Sequence, residues 1–88
     1  MSIRQLQYFV TLFEECHFGK AAERCNVTQS TFSMQLANLE HYLGTTLFER
    51  DSRNVRPTGA ASRIEPLARR IVEGCHEICR VVHQQQNG

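Results

Sequence analysis

Two groups of residues in this 88-residue sequence have types and spacings that could support chemistry. The first is thiol and imidazole. Cys75, Cys79 and His83 recur every four residues, which puts them on one helical face, and soft ligands at that spacing can hold zinc. Cys16 and His17 adjoin as a nucleophile and a base would. Both sets are incomplete, because no fourth zinc ligand is suitably spaced, sequence neighbours do not face each other in a helix, and no Asn or Asp is placed to orient the imidazole. A bridge between Cys75 and Cys79 is disfavoured too, since helical residues four apart hold their Cβ atoms ~5–6 Å apart where a disulfide wants ~3.5–4.5 Å. All four cysteines, Cys25 included, therefore read as core thiols of a reducing compartment. With no Gly-rich phosphate loop either, the expectation is a protein without metal, cofactor or catalysis.

The second group is polar and points to recognition. From Thr28 to Leu43 the chain has no Lys or Arg and a single acid, Glu40, and it places Phe32, Leu36, Leu39 and Leu43 on one helical stripe. Ser30, Met34, Ala37, Asn38 and His41 then point the opposite way, Thr31 and Ser33 lie on the shoulders, and Gln29 projects from the first turn. Such a face matches a surface of hydrogen-bond donors, acceptors and thymine methyls. Arg50, Arg53 and Arg56 follow within seven residues, a cluster suited to phosphate or groove contact, although Glu49 and Asp51 dilute it. The competing reading of the same face is a helical protein-interaction or dimerisation module that touches protein instead of DNA.

The elements that must position these residues are legible from caps and periods. Ser2 with Gln5 is a capping-box signature ahead of Ile3, Leu6, Phe9, Val10 and Phe13, predicting a helix over 3–15. Phe18, Ala21, Ala22 and Cys25 mark a short second helix; Asn26 tolerates left-handed backbone, and Thr28 caps a third helix that Gly44 ends. This is the spacing of a helix-turn-helix, with Val27 plugging the corner. Between Thr45 and Thr58 the period shifts to that of a two-stranded hairpin, Pro57 confining its second strand to an edge. A long helix follows to about Gln86, bent at Pro66, with a near-heptad apolar line of Ile64, Leu67, Ile71, Cys75, Ile78 and Val82. That seam asks for a second copy, and the tail 84–88 has no apolar anchor and should fray.

Composition agrees with one small domain. A chain of this length with 41% hydrophobic and 22% charged residues forms a single modest core, so a partner subunit is a natural source of stability. The net charge of +1 makes the placement of charge more informative than its sum, and the basic set is nine Arg to one Lys, Lys20. No apolar run approaches the ~18 residues of a membrane span, and the N-terminus lacks a secretory pattern, so the chain reads as cytoplasmic.

Taken in order, Leu6-Gln7-Tyr8-Phe9, Phe18, Ala21-Ala22-Glu23-Arg24, Val27-Thr28-Gln29-Ser30, Ser33, Gln35-Leu36, Leu39-Glu40, Leu43-Gly44, Leu47-Phe48-Glu49-Arg50, Arg53, Thr58 and Ala60 resemble the N-terminal DNA-binding domain of LysR-type transcriptional regulators. Pro66 through Ile71 resembles that family's linker helix. The resemblance covers about residues 2–82. It implies a mainly α fold, a winged helix-turn-helix over 1–58 with a two-stranded wing, then a linker and dimerisation helix over 59–88. It implies sequence-specific binding of double-stranded operator DNA by a homodimer, leaves open the pairing of dimers into tetramers in a full-length protein, and places an effector-binding domain outside these residues. Carried onto this sequence, Gln29, Ser30, Thr31, Ser33 and Met34 face base edges, Asn38 belongs to the same DNA-binding set, Thr28 and Arg50 hold backbone, and Arg53 leads the wing. Ser30 stands where the family commonly has Pro, Met34 where it has a basic residue, and Ala61 where it has Gly.

Overall fold

The computed structural model describes residues 1–52 and 54–87, the last two as backbone only. The order of elements is α1 (Ile3–Glu15), α2 (Phe18–Arg24), α3 (Gln29–Leu43), β1 (Phe48–Arg50), β2 (Val55–Pro57) and α4 (Gly59–Asn87). Each boundary has a local cause. Ser2 Oγ accepts the Gln5 N–H at 3.1 Å while Gln5 Oε1 accepts the Ser2 N–H at 3.2 Å, a complete capping box. At the other end of α1, Cys16 turns left-handed, φ 51°, and its N–H closes on the Leu12 carbonyl at 2.8 Å. Asn26, φ 57°, makes the corner between α2 and α3, and Gly44, φ 71°, ends α3 with its N–H on the Glu40 carbonyl. The strands pair antiparallel in the register Phe48↔Pro57, Glu49↔Arg56 and Arg50↔Val55, so Pro57 sits on an edge as its missing donor requires.

α1 lies at the centre and is covered by every other helix. Phe9, Leu12, Phe32, Leu36, Leu39 and Leu47 are fully buried; Tyr8 stacks on Phe32 at 4.9 Å, and Phe18 meets Phe32 edge-on at 6.1 Å. Tyr8 and Leu12 thus join a core that the 3.6-residue pattern of α1 had assigned to Ile3, Leu6, Phe9, Val10 and Phe13, and Ile3 is exposed. Leu43, read as the last of the buried stripe on α3, is exposed as well, because the chain turns at Gly44 before anything covers it.

Thr58 fastens the hairpin to α4. Its hydroxyl donates to the Thr46 carbonyl at 2.8 Å and accepts the Ala61 N–H at 3.3 Å, while its own N–H donates to the Leu47 carbonyl at 2.9 Å. The helix then runs unbroken through Pro66 to Asn87 and gives the molecule its 51 Å long axis. It buries a line of small residues, Ala61, Ala68 and Val72, against the body, with Ile64 half-buried beside them. Leu67, Ile71, Ile78 and Val82 lie outside that contact, 53%, 46%, 66% and 45% exposed, and Cys75 is half-buried. No helix among the described residues is long and apolar enough to cross a membrane.

Candidate nucleic-acid interface

The face opposite the buried stripe of α3 is formed as the periodicity predicts. Gln29, Ser30, Met34, Ala37, Asn38 and His41 are exposed, with Thr31 and Ser33 half-buried at its margins. Met34, 54% exposed, is an apolar group held out among polar ones. The face is rigid at its base, since Phe32, Leu36 and Leu39 on the other side are wholly enclosed.

A hydroxyl cluster organises the first turn. Thr28 Oγ1 accepts the Thr31 N–H at 3.2 Å, donates to Thr31 Oγ1 at 2.9 Å, and lies 3.3 Å from Ser30 Oγ. The Thr28 hydroxyl is therefore engaged as an N-cap, and what it leaves open to an incoming acceptor are the unpaired first N–H groups of α3. By contrast, the Gln29 side chain makes no hydrogen bond to any described residue, so its amide is free to read a partner.

Arg50 is placed differently from a free wing cation. Its guanidinium lies 4.4 Å from the centroid of the Phe18 ring and 3.8 Å from Glu40 Oε1. Glu40 Oε2 in turn accepts the backbone N–H groups of Leu47 and Phe48 at 2.7 and 3.2 Å. One carboxylate near the end of α3 thus holds the first strand of the wing, and Arg50 ties both to the start of α2. Sequence reasoning missed Glu40, although a lone acid in the last turn of a helix, where the macrodipole disfavours it, is a signal that it has a partner elsewhere. Arg56 sits opposite Glu49 across the strands and 3.9 Å from Asp51. Arg53 lies outside the described residues. Lys20, Arg4, Arg63 and Arg70 make no ion pair with any described residue, and Lys20 is exposed on α2.

The expectation that all four cysteines are core thiols fails for two of them: Cys25 and Cys75 are half-buried, but Cys16 is exposed in the left-handed turn that ends α1, and Cys79 is exposed on the part of α4 beyond Val72, the last buried one among its described residues. Cys25 is half-buried against the core with its Sγ donating to Thr11 Oγ1 at 3.7 Å, and Cys16 and His17 occupy the turn between α1 and α2, not a helix. His17 caps α2 there, its Nδ1 accepting the Lys20 N–H at 3.0 Å. No three His, Cys, Asp or Glu side chains among the described residues are gathered to hold a metal ion.

Comparison with known proteins gives the same frame. The sequence pattern of the bacterial regulatory helix-turn-helix proteins of the lysR family matches residues 3–62. The chain is 44% identical over 80 residues to the HTH-type transcriptional regulator EstR of Acinetobacter baylyi, covering 91% of this chain and 27% of that protein. It is 40% identical over 85 residues to the DNA-binding transcriptional dual regulator OxyR of Escherichia coli, covering 97% and 28%. It thus spans under a third of the length of these curated relatives. The fold superposes on the BenM DNA-binding domain in its complex with catB site 1 DNA at a TM-score of 0.89 and 33% identity, covering 100% of this chain and 98% of that one. It superposes on a full-length OxyR variant from Pseudomonas aeruginosa at a TM-score of 0.89 and 39% identity, covering 96% and 28%. The winged helix-turn-helix expected from the motifs is the fold, and the chain belongs to the LysR family of bacterial regulatory helix-turn-helix proteins.

Proposed function

We propose that the chain is the DNA-reading and dimerising part of a transcriptional regulator, acting in the cytoplasm and performing no reaction of its own. Residues 1–58 dock on double-stranded DNA, and 59–88 join two copies so that paired half-sites are read together. The observation that supports this best is the outer face of α3, exposed, rigidly backed and uncharged from Gln29 to Asn38. In a major groove, Gln29, Ser30, Thr31, Ser33 and Asn38 offer donors and acceptors to base edges, and Met34 offers an apolar contact to a thymine methyl. Thr28 contributes by aiming the first turn of α3 at a phosphate. Arg50 positions the wing as well as lying near backbone, and Arg53 supplies the wing's cation.

Dimerisation rests on the exposed line Leu67, Ile71, Ile78 and Val82, with Cys75 within it and Ile64 at its inner end. Beside that line Met1, Leu6, Leu43, Ile64, Leu67 and Ile71 form an apolar groove of about 230 Å³, which a second copy would close.

The test is a salt series by fluorescence anisotropy on one duplex selected from a random pool and one scrambled duplex. Two to four cations per subunit predict a log–log slope on the order of −4 to −7. Gln29→Ala should cost about 1–3 kcal/mol per half-site on the selected duplex alone. Arg53→Ala should weaken both duplexes alike, and Met34→Arg should raise affinity for the scrambled one and steepen the slope. Equal loss on both duplexes for Gln29→Ala, with an unchanged slope for Met34→Arg, would take α3 out of the groove and favour a protein-interaction module.

A further inference from the structure

Gly19 occupies the second position of α2 with ordinary helical backbone, so no left-handed angle demands a glycine there. In a helix Gly is disfavoured relative to Ala, and a glycine kept without a conformational reason calls for a spatial one. The reason is visible in what a side chain would meet. A Cβ at this position would lie 3.0 Å from His17 Cε1, 3.4 Å from His17 Nδ1 and 3.5 Å from Gln29 Oε1. The imidazole has little freedom to withdraw, because its Nδ1 is the N-cap acceptor for Lys20 N–H at 3.0 Å. The Gln29 amide, held by no hydrogen bond among the described residues, is the neighbour able to move.

We propose that position 19 determines sequence preference: the bare backbone of Gly19 leaves a recess against α2 in which the Gln29 amide rests, and this sets the direction from which the amide meets a base edge. The inference rests on the reading of Gln29 as a base contact and adds that its orientation is imposed from the neighbouring helix. A methyl at position 19 would reach ordinary contact distance from Gln29 Oε1. A branched side chain would reach beyond it, turn the amide away from α2, and change which base pair it favours without touching DNA itself. Gly19 is in this sense a positioning residue, and its effect must vanish when Gln29 has no amide to position.

The experiment measures the 88-residue chain and its Gly19→Ala, Gly19→Val, Gln29→Ala and Gly19→Val/Gln29→Ala variants. Anisotropy is read on a duplex selected from a random pool and on each single base-pair change within its half-site. Gly19→Val is expected to alter the preference at the base pair that Gln29→Ala makes indifferent, by roughly tenfold, the scale of one base-edge contact. The double variant should match Gln29→Ala alone, and Gly19→Ala should give a smaller shift in the same direction. Far-UV circular dichroism melts establish that the variants fold; should Gly19→Val fail there, Gly19→Ser is measured in its place with the same expectation. An equal loss on all duplexes, or an undiminished effect of the position-19 change in the Gln29→Ala background, overturns the proposal while leaving Gln29 as a reader. If Gln29→Ala itself leaves discrimination intact, the reading of Gln29 fails first and carries this inference with it.

Discussion

The two long helices, α3 and α4, each carry an apolar stripe, and they are closed in different ways. On α3, Phe32, Leu36 and Leu39 are fully buried in a core shared with α1 and α2, which leaves the opposite face exposed on a fixed support. On α4 the enclosed residues are small, Ala61, Ala68 and Val72, while the large ones, Leu67, Ile71, Ile78 and Val82, remain in water. Exposed large apolar residues at helical spacing mark a surface built for another protein surface. The stripe of α3 therefore belongs to the folding of one copy, whereas the outer stripe of α4 is left free for the second copy proposed above.

The largest effect that could break this contrast is on association. Four isoleucines per dimer, Ile71 and Ile78 from each copy, would contribute roughly 1.5–3 kcal/mol apiece before the cost of bringing two chains together. Ile71→Asp with Ile78→Asp should give a monomer by sedimentation, with melting close to that of the parent chain under dissociating dilution and much weaker DNA binding. A double variant that stays dimeric would move the interface off this stripe. Phe32→Ala should behave in the opposite sense: loss of a fully buried ring that contacts both Tyr8 and Phe18 costs about 3–5 kcal/mol of folding stability. Chemical denaturation measures it, and a loss under 1 kcal/mol would mean that the stripe of α3 is not what closes the body.

The sequence made the contrast only half visible. Caps were readable because single residues decide them: Ser2, Asn26, Thr28 and Gly44 each sit where a terminus or turn required their side chain or conformation. The α3 stripe was readable because one period of large residues points one way. On α4 two periods overlap, and the hydrophobic pattern selects the larger side chains, whereas close packing of helices selects alanine. Ala61, Ala68 and Val72 therefore passed unremarked as the face that docks on α1. In the site, the outer face of α3 followed from the period alone. The Glu40 and Arg50 contacts did not, because they join residues whose proximity is created by the turn after Gly44.

That turn supplies a smaller test of how α3 holds the wing. Glu40→Ala would strip the acceptor from the Leu47 and Phe48 N–H groups and the partner from Arg50. Leaving such donors half-buried and unsatisfied costs about 1–3 kcal/mol. The expected pattern is a moderate fall in stability with weaker binding to selected and scrambled duplexes alike, since the wing is displaced while the outer face of α3 is not. A selective loss on the selected duplex would instead make Glu40 a support for the α3 face itself.

The smallest effect concerns how α4 is held to the body before it leaves. Arg69 on α4 donates to Glu14 Oε2 at 2.9 Å and to Glu65 Oε1 at 2.5 Å, and Arg24 on α2 donates to Glu14 Oε1 and Glu15 Oε2, each at 3.0 Å. The Arg69 hydrogen bond, reinforced by Arg24 against the opposing effect of burial, holds the Glu14 carboxyl below its ordinary value of 4.5. A carboxylate whose folded value is lowered stabilises the fold fully above its unfolded value and loses that contribution as pH falls through the folded one. Glu14 therefore adds stability at neutral pH that is lost progressively as pH falls from about 4.5 through the lower folded value. Because these side chains are substantially solvent-exposed, the contribution is under about 1 kcal/mol and shrinks with salt. Glu14→Gln should lower the urea midpoint slightly at pH 7, by less in high salt, and the two proteins should converge as pH approaches 3. If the difference persists undiminished at low pH, the substitution acts through packing, and the attachment of α4 to the body rests on Ala61, Ala68 and Val72 without help from charge.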